Sequence, residues 1–118
     1  MGDLSKNFST KELACPCCGK FIKVPRLIDA LQKLRDYLGM EIHVNSSTRC
    51  EKHNKDVGGQ PKSRHLSGEA ADIYVDGLPT KELAIAAETI PDFKGGGIGT
   101  YPTFVHVDVR RHRARWKG

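Results

Sequence analysis

Two short stretches of strict alternation constrain this chain more than anything else in it. Over 104–109, Val105, Val107 and Val109 fall on one side of an extended strand, while Phe104, His106 and Asp108 fall on the other. Over 70–75 the apolar set is Ala71, Ile73 and Val75, and Asp72 and Tyr74 point the opposite way. A sheet built from such strands has one greasy face that must be covered. Its other face displays Asp72, His106 and Asp108, two carboxylates and an imidazole beside one another.

Helices supply the cover. Leu27, Leu31, Leu34 and Leu38 recur at spacings of three and four, which draws one apolar stripe along a helix. Pro25 suits its first turn and Gly39 its C-terminal stop. Ser9-Thr10-Lys11-Glu12 has capping-box spacing, with Phe8 ahead of it as a staple, so a short helix is predicted to end before Pro16. Ile42 and Val44 alternate with polar neighbours and predict a strand at about 41–46. Pro79-Thr80 opens a helix over about 80–89, carrying Leu83, Ala86 and Ala87, with Ile90 just beyond. Gly58-Gly59 with Pro61 reads as a turn, and Gly95-Gly96-Gly97 as a flexible one.

At 118 residues, 38% hydrophobic and 28% charged, the chain is expected to form one domain over 1–118 with one modest core. The fold class these elements predict is α+β, a small antiparallel sheet with helices on one face. No run of about 18 apolar residues is present, so no membrane span is expected. Residues 1–7 are polar, so no cleaved leader is expected either, and the product is read as a monomer made in the cytoplasm.

The net charge of +5 concentrates near the end, in Arg110, Arg111, Arg113, Arg115 and Lys117. Such a tail suits a polyanion, nucleic acid or an anionic envelope, or is simply a solvated terminus. An aromatic content of 7%, with no recognition helix and no RNA-binding aromatic pair, argues against a nucleic-acid protein. Three of the four cysteines sit in Cys15-Pro16-Cys17-Cys18, and the fourth is Cys50. Reduced thiols, a disulfide to Cys50 and a second metal site are all open readings, although paired CxxC knuckles are missing.

Chemistry concentrates in Ser63-Arg64-His65-Leu66-Ser67-Gly68-Glu69-Ala70-Ala71-Asp72. The seven-residue gap from His65 to Asp72 fits a ligand on a loop followed by one on a strand, with His106 as a third from the far strand. Two imidazoles and one carboxylate leave one position of a zinc ion open for water, as catalytic sites require. Taken singly these residues say little. A histidine is more often a surface or core residue than a ligand, and a strand aspartate more often serves a turn or cap.

The string resembles the SxHxxGxAxD signature of the M15 zinc peptidases, the D-alanyl-D-alanine carboxypeptidase group. Ser47-Thr48-Arg49-Cys50-Glu51-Lys52-His53-Asn54 is similar to the segment of that group that carries a substrate-binding arginine, and Val57-Gly58-Gly59 follows. Gly97-Ile98-Gly99-Thr100-Tyr101-Pro102 and 104–110 resemble its final metal strand, and Arg113-Ala114-Arg115-Trp116 the ending of its short, phage-type members. The resemblance implies Zn2+ held by His65, Asp72 and His106, on the sheet face away from the helices, in a hedgehog/D-Ala-D-Ala peptidase-like fold. It implies that Arg49 anchors a substrate carboxylate or steadies the oxyanion, a task that suits a guanidinium fork. Ser63 would hydrogen-bond substrate; a turn-stabilising contact is the plainer role.

One departure matters. Members of that group often carry a Glu three residues, or a His two residues, before the last ligand, as general base. Here those positions are Thr103 and Phe104. Asp108 is the nearest catalytic candidate on the His106 face, and could equally orient a ligand imidazole. The resemblance thus implies a peptidase acting on peptidoglycan stem peptides at the cell wall. It would be a D-Ala-D-Ala carboxypeptidase or an endolysin-type endopeptidase, of phage or prophage origin. The alternative is a catalytically weak, zinc-bearing wall-binding module.

Overall fold

The computed structural model describes residues 4, 6–15, 18–19, 21–48 and 68–118. The first helix, α1 (Thr10–Leu13), is a single turn that buries Leu13, with Phe8 buried ahead of it. Helix α2 (Pro25–Leu38) runs between its expected signals. Pro25 occupies the first turn, where an N–H would have no partner, and the Val24 carbonyl accepts from Leu27 and Ile28. At the other end Gly39 takes the left-handed conformation (φ 64°) and donates its N–H to the Arg35 carbonyl. The leucine stripe turns inward, with Leu27, Leu31 and Leu34 almost wholly buried.

Strand β1 (His43–Ser46) pairs antiparallel with β2 (Ala70–Tyr74), with a register shift between Val44 and Ser46 that sets Ser46 opposite Asp72. The helix expected over 80–89 ends earlier, as α3 (Thr80–Ala87). Ile90 stands before a proline, where helical backbone is disfavoured, and is extended. Pro91 then starts a further turn, α4 (Pro91–Lys94), which buries Phe93. Strands β3 (Gly97–Thr100), β4 (Val105–Asp108) and β5 (Ala114–Lys117) complete the sheet, in the order β1-β2-β4-β3-β5.

The expectation of an antiparallel sheet needs correction: the sheet is mixed. The first three pairings are antiparallel, but β5 lies parallel to β3. Because β4 already supplies the return path, the five residues 109–113 suffice to bring the chain round to the outer edge of β3. The Ala114 N–H closes that turn on the Gly96 carbonyl.

The alternation sorts the faces as expected. Ala71, Ile73, Val105 and Val107 have no exposed surface and join the core beneath α2, α3 and α4. Asp72, His106 and Asp108 share the other face. Cys15 is buried in the core and Cys18 is exposed; Cys17 and Cys50 lie outside the described residues. Among the described residues no helix is long and apolar enough to cross a membrane.

The basic C-terminal string is solvated only in part: Arg111, Arg113 and Lys117 are exposed, and Arg110 and Arg115 are half-buried. Arg115 donates to both Glu88 carboxylate oxygens (2.9 and 2.7 Å), and this pairing holds Glu88 below the usual carboxylate range. Arg113 lies 3.6 Å from the same carboxylate.

Candidate metal centre

Strand register builds the site. Ser46 stands opposite Asp72, Asp72 opposite His106, His106 opposite Gly99 and Gly99 opposite Trp116, so one row crosses all five strands. Within it Asp72 Oδ1 and His106 Nδ1 lie 3.0 Å apart, and these two side chains keep 9% and 10% of their surface. The pair is nearly closed off but still reachable.

Asp108 differs. It has no exposed surface, and both its oxygens are taken. Oδ2 lies 2.8 Å from His106 Nε2 and accepts from Arg110 Nη2 at 2.7 Å. Oδ1 accepts from the Gly97 backbone N–H at 2.8 Å, from Arg110 Nε at 2.9 Å and from the Arg110 N–H at 3.2 Å. Burial opposes the charge on Asp108, but the His106 ring and the Arg110 fork outweigh it and hold the carboxyl well below its ordinary range. Burial likewise opposes protonation of His106, and the Asp108 and Asp72 carboxylates overcome it, so the imidazole titrates above its usual value.

An ionised carboxylate only accepts, so the Nε2 facing Asp108 carries a proton. Asp72 faces Nδ1 in the same way, so a cation shared with Asp72 has to displace the proton on Nδ1, which leaves Nε2–H bonded to the fully engaged Asp108. Two donors on one tetrahedral ion, each about 2.1 Å from it, stand about 3.4 Å apart. The Asp72–His106 spacing needs to open by only a few tenths of an ångström for these two donors to share one such ion. Among the described residues no group of three or more donors suited to a metal occurs, so a further protein ligand has to come from elsewhere. His65, the sequence candidate, lies outside the described residues, as do Arg49 and Ser63.

The flanks of those segments are described. Ser47 and Thr48, just before Arg49, are buried; Ser47 Oγ donates to the Ala70 carbonyl at 2.7 Å and the Thr48 N–H to that of Leu13. Gly68, within the signature string, has φ 74°, and a Cβ there would collide with Ile22. Only glycine meets both conditions.

A family model described as Peptidase M15 matches residues 6–108, nearly the whole chain. The chain belongs to the peptidase M15 family. Similar proteins include a probable peptidoglycan L,D-endopeptidase MepK of Haemophilus influenzae, 32% identical over 104 residues, covering 80% of this chain and 54% of that protein. The peptidoglycan L,D-endopeptidase MepK of Escherichia coli K12 is 31% identical over 94 residues, covering 72% of this chain and 50% of that protein. The chain thus spans about half the length of the curated relatives it matches.

Several side chains at this polar sheet face escape sequence reasoning. Arg110 reads as part of a basic tail yet clamps Asp108. Gly97 reads as a flexible turn; it has no positive φ and begins β3, and a Cβ there would run into the Asp108 carboxylate. The run Gly97-Ile98-Gly99, glycine on each site-facing position, is the signal that could have marked a crowded strand. A groove of about 730 Å³ between α3 and the β3–β5 edge is lined by neither Asp72, His106 nor Asp108.

Proposed function

We propose that this chain is a zinc-dependent peptidase that hydrolyses peptide bonds in bacterial peptidoglycan stem peptides, with zinc held by His65, Asp72 and His106. The observation that carries the reading is the Asp72 Oδ1–His106 Nδ1 pair at 3.0 Å, with the far ring nitrogen bonded to a buried carboxylate. A ligand imidazole whose other nitrogen is bonded to a carboxylate is the usual arrangement at protein-bound zinc. When bound, zinc supplies Lewis-acid polarisation of a carbonyl and lowers the pKa of a water towards about 7.

The chain's own residues supply the rest. Asp108 holds the proton on His106 Nε2, and Arg110 keeps Asp108 ionised. Of the two roles open to Asp108, its burial and full complement of bonds support the orienting one, because a general base must reach the water it deprotonates. Arg49, next to the anchored Thr48, binds a substrate carboxylate, and Ser63 adds a hydrogen bond to substrate. Between the two cleavages implied by the resemblance, the names of the relatives favour an L,D-endopeptidase. Action at the wall in a phage or prophage lysis setting belongs to the same proposal.

The test is release of amino groups from purified sacculi, with mass spectrometry of the soluble muropeptides. Cleavage between an L- and a D-residue is expected, lost on chelation, restored by zinc and abolished by His65→Ala. Undiminished release after both treatments would overturn the reading. A second reading, a zinc-bearing wall-binding module without turnover, draws on Thr103 and Phe104 at the usual base positions and on the full commitment of Asp108. It predicts zinc and sacculus binding with no soluble products.

A further inference from the structure

We propose that Trp116 is a positioning residue for the metal pair, holding the plane of the His106 ring so that Nδ1 keeps its aim at the ion. This rests on the zinc reading above. The matched family region ends at Asp108, so Trp116 lies beyond it.

Trp116 is on β5 and His106 on β4, with β3 between them. Two strand spacings amount to about 9.6 Å, too far for the rings to meet over an ordinary side chain. The residue between them is Gly99, and a Cβ there would run into the indole Nε1 and Cε2. The indole therefore lies across the gap left by Gly99 and reaches the imidazole, the ring centroids 5.1 Å apart and the planes tilted by 49°.

Both ends of the indole are held. Its Nε1–H donates to Tyr101 Oη at 2.9 Å, and the Tyr101 ring is stacked on Phe104. The Arg110 guanidinium sits 5.3 Å from the indole centroid while two of its N–H groups bond Asp108. Trp116, Arg110, Asp108 and His106 thus form a closed circuit of contacts.

This circuit adds a ring contact to the two bonds made by the His106 nitrogens. Hydrogen bonds to Asp72 and Asp108 set the rest orientation of a ring that turns about only two side-chain bonds, and the indole packed against it limits swings away from that orientation. The Nδ1 lone pair lies in the ring plane, so its aim depends on how the imidazole is packed. Trp116 packs on it.

The test is zinc affinity of the folded chain, by competition with a chromophoric chelator, for wild type, Trp116→Phe, Trp116→Ala, Gly99→Ala and the Gly99→Ala/Trp116→Ala double variant. Trp116→Ala is expected to weaken zinc binding about tenfold to a hundredfold, the usual effect of removing a group that orients a ligand. Trp116→Phe, which keeps a flat ring, should recover most of that loss. Gly99→Ala should weaken binding without touching Trp116, and should red-shift the fluorescence of this single tryptophan by displacing it. In the Trp116→Ala background Gly99→Ala should cost nothing more. Wild-type affinity in folded Trp116→Ala, or equal Gly99→Ala effects in both backgrounds, overturns this inference alone. Failure of the wild-type chain to bind zinc overturns the functional reading and this inference together.

Discussion

Asp108 carries a charge with none of its surface in water, and the manner of its holding decides what it can do. Its depressed pKa is a stability statement. The contribution is present in full above the ordinary aspartate value near 4 and is lost as pH falls from there towards the folded value. His106 has the opposite sign in the metal-free chain: its contribution is present below about 6.5 and is lost as pH rises through the raised folded value. Asp108→Asn should reduce both. Urea unfolding of metal-free protein between pH 3 and 8 is expected to show a destabilisation of roughly 3 kcal/mol near neutrality, since one partner of a buried pair is removed. That deficit should shrink towards pH 3; one independent of pH would contradict the assignment. At this scale the sequence is legible where local periodicity governs. Strand alternation alone sends Asp72, His106 and Asp108 to one face. What Asp108 does there depends on Arg110 and Gly97, and the indole of Trp116 on Gly99; strand alternation encodes neither, and the Gly97-Ile98-Gly99 run marks only that something crowds the strand.

Elements divide along the same line. Helix α2 is legible from end to end because its signals are local: a proline in the first turn, a leucine stripe and a left-handed glycine cap. Its apolar face is also where stability concentrates. Leu31→Ala, at a fully buried position, is expected to cost about 2–5 kcal/mol in chemical denaturation, while the zinc affinity of the remaining folded protein stays near wild type. A large loss of affinity would mean that the helical layer tunes the site. Strands β3 and β5 are illegible for opposite reasons. β3 is half glycine, and its first residue falls in the expected 95–97 turn; β5, Ala-Arg-Trp-Lys, is basic, short and at an edge. It is a strand because β3 offers it a parallel partner and Glu88 receives Arg115, both long-range facts. Arg115→Ala should therefore loosen the β5 edge, seen as faster amide exchange at Ala114 and Trp116.

For the molecule as a whole, family membership and a consistent fold meet at one polar sheet face. The basic surplus inferred from the C-terminal string is partly spent within the protein, on Asp108 and Glu88, which weakens that string as a polyanion-binding tail. The helices close the greasy face and leave the Asp72–His106 row on the other, and on the proposed zinc reading that row is a scaffold for two donors on adjacent strands. A crystal structure of the zinc-loaded chain, with anomalous data collected at the zinc edge, tests this most directly. The predicted result is one zinc peak within about 2.2 Å of both His106 Nδ1 and an Asp72 oxygen, with His65 as a further ligand and Nε2 still bonded to Asp108. Zinc bound through Nε2, or a peak that leaves Asp72 and His106 unligated, would contradict it.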